Sequence, residues 1–88
     1  MYQFEYDRNK SLMNKEKHGI DFDEAKKLFT ENMKIYPAKN IDGEKRYLIS
    51  NFINNKCYSA IFTIRNGKIR IISVRRCRKN EEKRLGND

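Results

Sequence analysis

Residues 57–76 read CYSAIFTIRNGKIRIISVRR, and the pair in the middle, Asn66-Gly67, decides how the rest is arranged. Asn-Gly between two runs of β-branched and aromatic residues is the strongest short-range hairpin signal, because a type I′ turn needs positive φ at both central positions. With Asn66 and Gly67 as the loop, Arg65 faces Lys68. Pairing then runs Ile64 with Ile69, Thr63 with Arg70, Phe62 with Ile71, Ile61 with Ile72, and on through Ala60–Ser73, Ser59–Val74 and Tyr58–Arg75 to Cys57–Arg76. Cross-strand partners share a face. One face collects Ile64, Ile69, Phe62, Ile71, Ala60, Ser73 and Tyr58, an apolar seat for helices, with Arg75 at its end. The other collects Arg65, Lys68, Thr63, Arg70, Ser59 and Arg76, so this register mounts arginines on the side turned away from the core. A slip of one residue would drive Arg70 into the core, which gives the register a physical reason to hold.

Outward from the hairpin, RYLISNFI (46–53) reads as a strand joined to CYSAIFTI (57–64) by an NNK turn. PAKNIDGEK (37–45), with its proline and its Asp42-Gly43 turn, reads as a loop. YQFEY (2–6) alternates as a short first strand. A helix follows from Asp7 as N-cap to a stop at Gly19. Asp21 opens a second helix, with Glu24 at capping-box spacing, Ile20 placed to staple the first turn, and Phe22, Ala25, Leu28 and Phe29 on one apolar face. RKNEEKRL (78–85) reads as a last, exposed, charged helix. The order β-α-α-β-β-β-α predicts an α+β domain spanning residues 1–88, a mostly antiparallel sheet with helices packed on one face.

Hydrophobic residues make up 38% and charged residues 36% of the 88, a thin core that a tightly held partner would stabilise. No apolar run approaches a membrane span and no signal-peptide h-region opens the chain, so it reads as soluble and cytoplasmic, with no membrane partner. Cys57 and Cys77 fit reduced thiols better than a disulfide framework, and two cysteines with one histidine leave no zinc set. The net charge is +8, and residues 65–84 hold nine Lys and Arg against Glu81 and Glu82. Charge concentrated in this way favours nucleic acid or a strongly acidic protein as partner.

Two separated motifs resemble the BrnT toxin family. The first is FEYDRNKSLMNKEKHGIDFDEA (4–25), with Asp7, Lys10, Asn14, Lys17-His18-Gly19 and Phe22-Asp23-Glu24-Ala25. The second joins GEKR (43–46), the Thr63 and Arg65 ahead of the turn, and IRIISVRRC (69–77), where Val74 and Cys77 stand in place of the family's alanines. A tyrosine that follows the family's last helix is replaced by the neighbourhood of Leu85-Gly86. The resemblance implies a RelE-like fold and an endoribonuclease toxin of a type II toxin–antitoxin pair. It also implies a BrnA-type antitoxin partner, a heterotetramer built round an antitoxin dimer, and operator DNA bound through the antitoxin.

Metal-independent RNA cleavage needs a group to take the 2′-hydroxyl proton, cations for the added negative charge, and a donor to the leaving oxygen. No cofactor is called for. His18, the one side chain that ordinarily titrates near neutrality, and its neighbour Lys17 are the proton-transfer candidates; capping the helix C-terminus is the competing role for both. Arg65, Arg70 and Arg76 are the candidates for gripping the scissile phosphate, since guanidinium groups bind phosphate oxygens bidentately. Lys10, Lys68, Arg75, Arg78 and Lys79 are candidates for binding the RNA backbone, with Lys10, Asn14 and Lys17 on one helix face. The alternative from the same residues is a non-catalytic nucleic-acid-binding or antitoxin-binding module in a repressor complex.

Overall fold

The computed structural model describes residues 2–31 and 33–86. The elements run β1 (Phe4–Glu5), α1 (Arg8–His18), α2 (Phe22–Ala25), a 3-10 turn (Lys26–Leu28), β2 (Ile35–Ile41), β3 (Glu44–Ile53), β4 (Lys56–Arg65), β5 (Lys68–Arg76) and α3 (Lys79–Gly86). The sheet has the order β1-β5-β4-β3-β2, with β1 parallel to β5 and every other pair antiparallel. The fold is therefore α+β, with one strand more than expected. β2 lies where a loop was read, and Pro37 is tolerated there because β2 is an edge strand that needs a ladder on one side only. Asp42 and Gly43, both at positive φ, form the turn of the β2–β3 hairpin.

The central hairpin forms as Asn66-Gly67 predicts, with φ of 53° and 77° and Arg65 opposite Lys68. The expected register holds through Thr63–Arg70 and Phe62–Ile71, then shifts. Ile61 faces Ser73, Ala60 faces Val74, Ser59 faces Arg75 and Tyr58 faces Arg76, leaving Ile72 as a one-residue bulge. α1 grips the strand just past the shift. The Asn14 side chain is buried and donates to the Val74 carbonyl at 2.9 Å while accepting from the Val74 N–H at 3.2 Å. It replaces a neighbouring strand along the β5 edge beyond the two-residue β1, and satisfies backbone groups that burial would otherwise leave unpaired. The bulge thereby puts Val74 rather than Ser73 into the core.

α1 and α2 are set by their caps. Asp7 accepts from the Lys10 N–H, Gly19 closes α1 at φ 76°, and Asp21 and Glu24 form the capping box. Ile20, Phe22, Ala25, Leu28 and Phe29 pack on Ile49, Ala60, Phe62, Ile71 and Val74. Burying side chains such as Phe22 and Leu28 contributes about 1.5–3 kcal/mol each. α3 does not join them. It crosses the opposite face, where Glu81, 5% exposed, accepts from the Ser59 hydroxyl at 2.7 Å and from both Arg75 terminal nitrogens at 2.8 and 2.9 Å. Arg84 of α3 stacks over Tyr36 with its guanidinium carbon 4.1 Å from the ring centroid. The sheet is thus covered on both faces, which corrects the one-face expectation.

The bulge also overturns the reading of the cysteines. Cys77 comes opposite Cys57, its N–H bonded to the Cys57 carbonyl at 2.9 Å, and the two are joined as a disulfide with Cα atoms 5.3 Å apart. In the unbulged register Arg76 would occupy that position and the pair could not form. Among the described residues no helix is long and apolar enough to cross a membrane.

Candidate functional site

The end of the sheet that α3 leaves uncovered carries a cationic cleft. Tyr47 pairs with Phe62 on the core side, so the next residues along, Arg46 and Thr63, fall on the other face beside Arg70. Arg46, Thr63, Arg65 and Arg70 line a cleft of about 160 Å³ with Glu44 and with Asp7 and Lys10 from the start of α1. Carboxylates hold the arginines in place. Glu44 binds Arg65 at 2.8 Å and Arg46 at 3.3 Å, and Glu5 binds Arg70 at 3.2 Å. The hydrogen bond from Arg65, with that from Arg46 beside it, holds the Glu44 carboxyl below its ordinary pKa, so it stays ionised and keeps both cations positioned. Thr63 is fixed by donating to the Lys45 carbonyl at 2.7 Å. A guanidinium has five N–H donors, so an ion pair of this kind leaves most of them for an incoming anion.

A second cleft, of about 220 Å³, follows the seam between α1 and the bulge of β5. Lys10 and Ile72 line both clefts, so the two are contiguous. Lys17, His18, Met13 and Ser73 border the second, over Phe22. Lys10, Lys17 and His18 are exposed, whereas Asn14, placed on the same helix face from the sequence, is buried and holds Val74 and Ile20 instead.

Of the ten sequence candidates, Arg65, Arg70 and Lys10 meet in the first cleft, and Lys10, Lys17 and His18 in the second. Arg75 and Arg76 exchange faces relative to expectation, because the bulge intervenes between them and the turn. Arg76 lies on the face covered by α1 and α2 with Tyr58, its guanidinium carbon 5.6 Å from the ring centroid and its Nε donating to the Cys57 carbonyl at 3.2 Å. Arg75 shares the face of Arg70 but is committed to Glu81 under α3, an ion pair that holds the Glu81 carboxyl down at about 2. Lys68 sits exposed at the hairpin end opposite Arg65. Arg78 and Lys79 are exposed at the start of α3, where the Arg78 N–H donates to Glu81. Arg46 and Glu44 were missed. The signal was present in GEKR: reading 37–45 as a loop removed the strand parity of Glu44, and Arg46, although at the start of the strand read over 46–53, was not carried across the sheet to Thr63 and Arg70.

Among the described residues no three His, Cys, Asp or Glu side chains gather as they would round a metal ion. What the joined clefts offer is fixed cations beside an imidazole and an ammonium, a set suited to a phosphodiester. Searches of curated proteins and of solved structures find no match to the chain. A family model described as the ribonuclease toxin, BrnT, of type II toxin–antitoxin systems matches residues 6–81, a span that contains both clefts and every cation lining them. The chain therefore belongs to the BrnT family of ribonuclease toxins, whose type II systems pair each toxin with an antitoxin.

Proposed function

We propose that this chain is a metal-independent endoribonuclease, a single RelE-like toxin domain acting on cytoplasmic RNA to arrest growth. The observation that carries the reading is the convergence of Arg46, Arg65, Arg70 and Lys10 round Thr63, in a cleft continuous with Lys17 and His18. Arg65, Arg70 and Arg46 grip the non-bridging oxygens of the scissile phosphate and stabilise the charge added in the transition state. His18 takes the proton from the 2′-hydroxyl as that oxygen bonds to phosphorus. The bond from phosphorus to the 5′-oxygen breaks, and Lys17 protonates the leaving group, giving a 2′,3′-cyclic phosphate and a 5′-hydroxyl. Lys68, Arg78 and Lys79 guide the flanking backbone. Arg76 has no place at this centre, being on the other face, and Arg75 is held by Glu81.

The partner in this reading is a BrnA-type antitoxin dimer that binds two toxins, covers their clefts and attaches the complex to operator DNA. The test is incubation of purified protein with RNA in EDTA. Fragments ending in cyclic phosphate, lost in Arg70→Ala and His18→Ala, are the expected result. A shift in RNA mobility with no fragments from the wild type would leave a binding module in place of an enzyme.

A further inference from the structure

We infer that the cleft between α1 and the β5 bulge is a nucleobase subsite, holding the base next to the phosphate bound by the arginines. The inference rests on the ribonuclease reading but has its own structural support. The cleft shares Lys10 and Ile72 with the arginine-lined cleft, so a chain whose phosphate lies against Arg46 and Arg70 is led directly into it. Its character then changes. The arginine cleft is walled by charge, whereas this one is floored by Met13, Phe22 and Ile72 and edged by Lys17, His18 and Ser73. An apolar floor with a cationic rim matches a nucleotide, whose base offers a flat apolar face and whose sugar-phosphate stays wet.

The bulge builds this cleft. By inserting Ile72 it brings two successive residues, Ile72 and Ser73, to the seam, where a regular strand would turn one of them away. Met13 is 53% exposed on the adjoining helix, its side chain lining the cleft with Phe22 and Ile72. A thioether over a base supplies polarisable contact without demanding one base geometry. Asn14 beneath it, bonded to Val74 and Ile20, makes the floor rigid.

The experiment compares wild type with Met13→Ala, a change at an exposed position that leaves the fold intact. Two probes are titrated: a single-stranded RNA carrying 2′-deoxy sugars to block cleavage, and an abasic oligomer of the same length. Cleavage sites are mapped in parallel on an unmodified RNA containing all four bases. The expected result is an affinity for the blocked RNA lowered on the order of fivefold, unchanged affinity for the abasic oligomer, and a flattened base preference beside the cut. Equal affinities for both probes in the two proteins, or an equal loss on both, would overturn the subsite. A wild type that binds the blocked RNA with this Met13 dependence yet cuts no RNA would instead remove the ribonuclease reading and leave the subsite standing.

Discussion

Asn14 controls more of this molecule than any cation does. Its amide holds the N–H and carbonyl of Val74, a residue 60 positions away, together with the Ile20 carbonyl. Asn14→Ala removes all three bonds from buried groups and should cost about 2–3 kcal/mol, read as a lower denaturation midpoint in urea. A loss below about 0.5 kcal/mol would show that the bulge is held by something else. Glu81 is the second decisive residue. Its carboxyl is held down at about 2, first by the Arg75 hydrogen bonds and then by those from the Arg78 N–H and Ser59, against a usual value of 4.5. The unfolded chain therefore takes up this proton more readily. The stability it contributes is complete above about pH 4.5 and is lost as pH falls towards 2, on the order of 3 kcal/mol in all. Melting curves between pH 7 and pH 3 should show a steeper acid loss in wild type than in Glu81→Gln. Matching slopes would contradict the assignment. Glu44 acts differently, as a half-buried organiser of two arginines, so Glu44→Gln should raise KM for RNA more than it lowers kcat.

The elements were unevenly legible. Asn66-Gly67, the Asp21–Glu24 capping box and Gly19 declare themselves locally, because each depends on backbone preferences within four residues. The bulge does not, since the side chain that bonds the shifted strand, Asn14, sits on another element. From that one shift follow the exchange of Arg75 and Arg76, the placing of Val74 in the core, and the pairing of Cys57 with Cys77. β2 was hidden by Pro37, a residue that argues against a central strand but not against an edge. α3 was visible as a helix, while its docking depended on a buried Glu81 that looks like a surface charge in sequence. The disulfide closes the hairpin across 20 residues and restricts the unfolded chain. Reduction, or Cys57→Ala with Cys77→Ala, should cost up to about 3 kcal/mol in a thermal melt. No change in melting temperature with dithiothreitol would mean the crosslink is not carrying stability.

For the whole molecule, charge along the chain and charge in space are different maps. The basic stretch 65–84 divides among the arginine cleft, the network beneath α3, and the opposite face. The cleft makes up its number from Arg46 and Lys10, which lie outside that stretch. If these four cations meet phosphates, log affinity for single-stranded RNA should fall against log salt with a slope of roughly −3. A slope near the full net charge would point to diffuse binding over the surface. The account's central claim is that cleavage belongs to the face bearing Arg46 and Arg70. It is tested most directly by single-turnover RNA cleavage in EDTA with Arg46→Ala and Arg76→Ala at matched folded fraction. The prediction is a loss of roughly 10²–10³-fold for Arg46→Ala and a change within a few-fold for Arg76→Ala. Activity kept by the first and abolished in the second would place the chemistry on the other side of the sheet.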